Sequence, residues 1–477
     1  MCEPASKLEL LSKQGVHYEG VFDPRLDVFS SIPILSDFQQ TFTKSFRPLS
    51  ALNSKLVFLL EDPAGFLNTQ SLELKLKGRS VVRKPDGTTG NLPAVQTANV
   101  LYDDVAFLPT EEMKGSEKVT VMKQKKVYME KKTPVGSYAC GVNLMPYAMF
   151  RTARVAYNNT DLPATANMMY YPQTLIRLYT SVRDVQTLQA YDAALWAPDS
   201  LGTTPTSTVP FTNNEGLSTR FQQTGHSNTV TFVCPLHVVG VTNLKSSKFV
   251  PPQLKIHIML EQAEGKFYYT CSAENTQVEF LIEDVQILAR YHVLKPKAEQ
   301  LFRSICLKGA TARFEYEDAP INWEIIRKGA TQYRYQLDGT LLSDNQLPAK
   351  IILAMTDAAS WAGSYLTLPM FFRKFDLVEV VVDYGDNRPL KVVDATTPEL
   401  WYHSLNDLVP NSLADSPLPL LVQKHYDHNR ALLCVDLSRA HWTLPKETTE
   451  DIVLLSCLPT NRVIAAKLGG SADVSVY

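Results

Sequence analysis

Paired cysteines are missing from this 477-residue sequence. Its seven cysteines, Cys2, Cys140, Cys234, Cys271, Cys306, Cys434 and Cys457, are odd in number, scattered, and form no CxxC pair. That argues against a disulfide framework and for free thiols made in a reducing compartment, the cytoplasm or nucleus of a cell. Long apolar runs are also missing, and none approaches the roughly 20 residues that span a bilayer. Met1 to Gln14 alternates charge and leucine without an apolar core, so no secretory signal is expected. The formal sequon Asn158-Asn159-Thr160 is then a chance match. Charge of one sign is lacking as well. With 47 basic and 49 acidic residues the net charge is -2, which leaves no strong field to attract nucleic acid or an anionic membrane. Catalytic signatures are absent: no GxxxxGK[ST], no GxSxG and no HExxH.

What is present is the composition of a folded chain, 45% hydrophobic and 20% charged, with 29 prolines to 21 glycines. The length is too great for one ordinary core and implies two domains of roughly 200 residues or more. Strand patterns recur almost everywhere. In SLELKLKGR (71–79), Leu72, Leu74 and Leu76 share one face while Glu73, Lys75 and Lys77 share the other. Further strands are expected at 229–241, 253–262, 265–271, 278–294, 311–319, 349–357, 430–438 and 451–459, separated by turn signals such as KPDG (84–87), AEGK (263–266) and DNRP (386–389). Many strands with few helices point to sandwiches or barrels rather than a parallel α/β sheet.

Two helices are expected. One spans 184–196, with Asp184 as N-cap and Leu188, Tyr191 and Leu195 at helical spacing. The other spans 295–309, with Pro296 in its first turn, Gly309 at its end, and an apolar stripe of Ala298, Leu301, Phe302 and Ile305. The second lies between two blocks of strands and marks a domain junction near residue 300. The Thr-, Ser-, Asn-, Pro- and Gly-rich stretch from Ala197 to Gln223 is read as a long surface loop, and loops of that length are commonly functional. In LPMFFRKFDLVEVVVDYGDNRPL (368–390), the Phe- and Val-rich residues Phe371 to Tyr384 are expected to form one long buried strand. Arg373 and Lys374 would then face opposite ways and could not make one basic stripe for nucleic acid.

Four clusters could carry chemistry, and each has a plainer reading. Glu315 and Glu317 of EYED (315–318) share a strand face, as exposed carboxylates commonly do. His425 and His428 of HYDH are spaced for a metal on a helix, yet lie between two expected strands with no third ligand nearby. The basic run KQKKVYMEKK (123–132) reads as a solvated hairpin tip. The aromatics of YNNTDLPATANMMYY (157–171) could line a ligand site or pack in the core. Catalytic, cofactor-binding and metal residues are accordingly all expected to be absent.

Several segments together resemble one family. LPAKIILAMTDAASWAGSYLTLPMFFRKFDLVEVVVDYGDNRPL followed by LWYHSLNDL (400–408) is similar to the second-domain region of the capsid proteins of Polinton/Maverick elements and adintoviruses. VEFLIEDVQILARYHVLKPKAEQLFRSICLKGATARFEY resembles that family's link between domains, and LDVFSSIPILSDFQQTFTKSFRPLS (26–50) its N-terminal arm. The likeness covers roughly 24–110 and 276–458 and rests on the order of these patterns.

The resemblance implies a double jelly roll, all-β, with two eight-stranded antiparallel sandwiches side by side and few short helices. It implies an N-terminal arm at 1–40, a first jelly roll at 41–294 with a long loop insertion around 185–245, a linking helix at 295–309, and a second jelly roll with a C-terminal tail at 310–477. It also implies a non-enzymatic major capsid protein of a double-stranded DNA virus, located in the virion. Three copies would make a pseudo-hexameric capsomer that contacts neighbouring capsomers, penton proteins and minor capsid proteins, without sequence-specific nucleic-acid binding. From the residues alone, a ligand- or carbohydrate-binding β-sandwich and an enzyme on a jelly-roll scaffold remain alternatives. The latter would need clustered histidines, and the nine here are dispersed.

Overall fold

The alternation in SLELKLKGR becomes the middle of one long strand. In the computed structural model, Gly65–Arg83 run unbroken, with Leu72, Leu74 and Leu76 buried and Glu73 and Lys77 in solvent. The structure describes residues 38–162, 170–179, 191–199, 214–333, 350–382, 390–394, 432–436, 441–443, 452–457, 460–467 and 474–476, with gaps of one to five residues inside the longer ranges. Residues 1–37 of the expected arm, Asp184, Leu188, His425 and His428 lie outside them.

The first block of strands comprises β1 (Phe38–Phe46), β2 (Lys55–Leu60), β3 (Gly65–Arg83), β4 (Gln96–Lys114), β5 (Glu117–Val135), β6 (Phe150–Tyr157), β7 (Thr229–Pro235), β8 (Ile256–Gln262) and β9 (Val278–Leu294). One sheet has the order β1-β9-β3-β7 and a second contains β6-β8-β2. All these ladders are antiparallel. Leu72, Leu74 and Leu76 of the first sheet and Leu56, Phe58, Leu60, Ile256 and Ile258 of the second enter one apolar core. Such face-to-face packing, polar residues outward and apolar residues inward, is what period-2 patterning demands.

After β9 comes a helix at Pro296–Leu307, as the sequence predicts. Pro296 opens it, where its missing N–H costs nothing, and Gly309 closes it at φ 75°, a left-handed conformation that suits glycine. The second block then holds β10 (Thr311–Asp318), β11 (Ile321–Ile326), β12 (Lys350–Asp357), β13 (Glu379–Val382), β14 (Leu390–Asp394), β15 (Leu432–Asp436), β16 (His441–Thr443), β17 (Ile452–Cys457) and β18 (Thr460–Lys467). Its ladders, again antiparallel, run β11-β17-β12-β15, β10-β18 and β14-β13-β16. No described sheet mixes strands from the two blocks. The blocks nonetheless touch. The Cys271 amide donates to the Tyr365 carbonyl at 2.7 Å, and the Tyr365 hydroxyl donates to the Val278 carbonyl at 3.1 Å.

Three sequence expectations need correction. First, the strand over Phe371–Tyr384 shrinks to Glu379–Val382. Met370 and Phe375 take φ of 57° and 49°, left-handed values no regular strand contains. Leu368, Met370, Phe372 and Leu377 are buried regardless, so the segment fills the core as an irregular plug. It is pinned by the Arg373 amide on the Met355 carbonyl at 2.9 Å. Second, the strand at 265–271 is a 3₁₀ turn over Gly265–Phe267 followed by a short strand, Tyr269–Cys271. Third, neither the surface loop 197–223 nor the wider insertion 185–245 is loop throughout. Glu215–Thr224 form a helix, and Thr229–Pro235 are β7 of the main sheet.

Candidate functional site

The first helices that bear on function are α1 (Tyr170–Tyr179), α2 (Glu215–Thr224) and α3 (Pro296–Leu307). Segment 200–213 lies outside the described residues, but both of its ends are visible, and they are joined. Asn214 caps α2: its Oδ1 accepts from the Leu217 amide at 3.0 Å. Its Nδ2 donates to Asp199 Oδ1 at 2.8 Å. From the next turn but one of the helix, Arg220 Nη2 donates to the same oxygen at 2.7 Å. Asn143 Nδ2 donates to Asp199 Oδ2 at 3.2 Å, while Asn143 Oδ1 accepts from the Ala197 amide at 3.0 Å.

Arg220 is fully out of solvent and spends its remaining donors on backbone, Nε on the Gly141 carbonyl at 3.1 Å and Nη1 on the Ala197 carbonyl. Burial works against its charge. The adjacent Asp199 carboxylate reverses that, so the guanidinium pKa rises above its ordinary value. Thr224 ties the far end of α2 to the sheet: its Oγ1 accepts from the Gly141 amide at 2.8 Å, and its carbonyl accepts from Ser80 Oγ at 2.7 Å. Gly216 lets the helix meet the chain at Pro198, where a β-carbon would stand 2.1 Å from the Pro198 carbonyl oxygen. A polar sequence therefore hides a buried, hydrogen-bonded base that joins Asp199 to Asn214. Sequence reasoning missed this base by reading Ala197 to Gln223 as loop; the signal that could have found it is Asn214, a residue type favoured at helix N-caps, just before Glu215.

A second element of note is the pair β4 and β5. They form 19-residue strands paired end to end, from Gln96 against Val135 to Lys114 against Glu117. At about 3.3 Å per residue that ribbon is roughly 60 Å long. Among the described residues neither strand pairs with any other. The basic run 123–132 belongs to β5, along the length of the ribbon rather than at its tip.

The other sequence candidates separate. Glu315 sits exposed on β10, opposite Val463, and Glu317 pairs with Asn461. Of the aromatics in 157–171, Tyr157, Tyr170 and Tyr171 are buried. The Tyr157 hydroxyl donates to the Gly240 carbonyl at 2.8 Å, and that of Tyr171 to the Asn143 carbonyl at 2.8 Å. They are core residues. Cys140, Cys234 and Cys271 are buried, and burial pushes each thiol up to about 12, far from the range of a nucleophile. Among the described residues no group of three or more His, Cys, Asp and Glu could hold a metal. No described helix is long and apolar enough to cross a membrane.

Comparison with known proteins was made at the level of sequence and of structure. No protein-family model and no curated protein matches the chain in sequence. Solved structures do match. A chain from the 3.5 Å cryo-EM structure of the Sputnik virophage superposes with a TM-score of 0.54 at 10% identity, over 97% of this chain and 93% of that one. The mavirus major capsid protein gives 0.49 at 10% identity over 96% and 94%, and the Faustovirus major capsid protein 0.49 at 9% over 96% and 96%. At such identities likeness speaks to fold. Set beside two blocks of antiparallel sheets and few helices, the virophage superposition identifies the fold: this chain is an all-β double jelly roll over nearly its whole length.

Proposed function

We propose that the chain is the major capsid protein of an icosahedral double-stranded DNA virus of the Polinton/Maverick or adintovirus kind. It divides at the linking helix 295–309 into a first jelly roll at 41–294 and a second at 310–477. The observation that carries this reading is the end-to-end superposition on a virophage chain, over 97% of this chain and 93% of that one. Two jelly rolls per chain and threefold symmetry give a capsomer with a nearly hexagonal outline, able to tile with copies of itself. Neighbouring capsomers, penton proteins and minor capsid proteins would be the further partners, and the virion the location.

Two features of the chain fit a subunit that assembles. A two-stranded ribbon that pairs with no other described strand is marginally stable in water, so β4 and β5 would gain from a neighbour to lie against. Asp199 and Asn214, which flank 200–213, are pre-packed against each other, which lowers the ordering cost of a contact made between them. Buried thiols that burial keeps protonated suit a structural role better than a nucleophilic one. The ligand-binding alternative loses its best aromatics, since Tyr157, Tyr170 and Tyr171 are in the core.

Light scattering on the purified chain tests the reading. A species near three times 53.4 kDa, with a hexagonal outline in negative-stain images, is the expected result. A protein that stays monomeric at high concentration and high salt would overturn it. Deleting 201–211, which spares Asp199, Asn214 and α2, is expected to weaken trimers without unfolding the sandwiches.

A further inference from the structure

Helix α3 is only half covered. Phe302 packs edge-on against Phe66, ring centroids 4.9 Å apart, and Cys306, one turn on, is buried. Leu301 and Ile305, also one turn apart, stand on the neighbouring stripe and are 63% and 45% exposed. With 3.6 residues per turn, Ala298, Leu301, Phe302, Ile305 and Cys306 form one continuous apolar face. Its inner edge meets the first jelly roll, and its outer edge, Leu301 and Ile305, faces outward. Solvent-exposed apolar ridges of this kind mark contact sites.

The chain itself places a candidate beside that ridge. β1 runs antiparallel to β9, with Phe38 opposite Leu294, the last residue of β9. Phe38, the first described residue, therefore stands at the end of the sheet where β9 passes into α3, and the chain before it starts from that end. Those residues include LDVFSSIPIL (26–35), which carries Leu26, Val28, Phe29, Ile32, Ile34 and Leu35. Charge matches as well. Residues 23–37 hold Arg25 against Asp23, Asp27 and Asp37, so 1 − 3 = −2, while 295–308 hold Lys295, Lys297, Arg303 and Lys308 against Glu299, so 4 − 1 = +3. Ten extended residues reach about 33 Å, more than the roughly 18 Å of a twelve-residue helix.

We infer that Leu26–Leu35 of the same chain docks along α3 and covers Leu301 and Ile305. Attachment in cis keeps the segment at high effective concentration, so a modest apolar contact suffices. This docking does not depend on the capsid reading, because it concerns one chain and needs no trimer.

Hydrogen–deuterium exchange on the full chain tests it. Peptides covering 26–35 are expected to exchange at least about tenfold slower in the wild type than in the L301S/I305S double variant. The control Leu307→Ser changes a residue that is 86% exposed and lies roughly half a turn away from the ridge, and is expected to leave that protection unchanged. In the reciprocal direction, F29S/I32S is expected to speed exchange across 298–307 with α3 itself untouched. Unprotected wild-type 26–35, or protection equal in wild type and L301S/I305S, overturns the inference. So does protection that disappears on dilution, which would assign the ridge to a second copy.

Discussion

Arg220 Nη2 and Asp199 Oδ1 lie 2.7 Å apart with both side chains shut away from water, 0% and 4% exposed. The pair joins the two ends of segment 200–213, because Asn214 shares the same carboxylate oxygen. Taking two charges out of water is expensive, and the pair is tolerable only because its remaining donors and acceptors are used on Gly141, Ala197 and Asn143. A charge left alone there has no such compensation.

Arg220→Ala is therefore expected to cost about 3–5 kcal/mol, the range for breaking a buried pair from one side. The double variant D199L/R220M should lose less than the sum of the single changes. Urea denaturation reads both, and a single variant within 1 kcal/mol of wild type, on the order of a surface change, would refute the assignment.

The same relationship separates two deletions. Removing 201–211 leaves the pair and the Asn214 cap in place, and cooperative unfolding is expected to persist. Removing 201–220 takes away the helix N-terminus and Arg220 together and should abolish it. Circular dichroism melts of the two proteins decide, and equal melts would show that α2 contributes nothing to the fold.

Much of this architecture was legible in the residues, and the parts that were not have a common cause. The strand around Leu72, Leu74 and Leu76 and the helix at Pro296–Leu307 declare themselves because local pattern and tertiary burial agree. The double jelly roll came from the order of segments resembling capsid proteins, which no periodicity contains. Helix α2 did not declare itself: in EGLSTRFQQT an arginine reads as a surface residue, and its partner lies 21 positions away. The segment Phe371–Leu377 has strand composition, yet the backbone at Met370 and Phe375 is left-handed, which tertiary packing decides and propensity does not.

Phe372 measures how much that irregular plug matters. It is fully buried among Leu368, Met370 and Leu377, in the core that also holds Ile352 and Leu433. Phe372→Ala is expected to cost about 3–5 kcal/mol, as for other buried aromatics. A denaturation midpoint close to wild type would show that Phe372 does not pack in the core.

Alkaline pH gives the last test, and its sign follows from the thiols. Burial raises Cys140, Cys234 and Cys271 from an ordinary 9.0 to about 12 in the folded chain. Between those values the unfolded chain has lost three protons that the folded chain retains. Stability must therefore fall as pH rises through this window. Tyr157 and Tyr268, also raised by burial, act in the same direction. Stability measured by urea denaturation is expected to hold steady from pH 7 to about 8, below the ordinary thiol pKa, and then decline with each further unit. Each buried thiol contributes up to about 1.4 kcal/mol per pH unit in the window. Cys234→Ala should make the decline shallower by one proton, whatever it does to stability at neutral pH. A wild-type profile flat to pH 11, or a slope that Cys234→Ala leaves unchanged, would place these thiols in water rather than in the core.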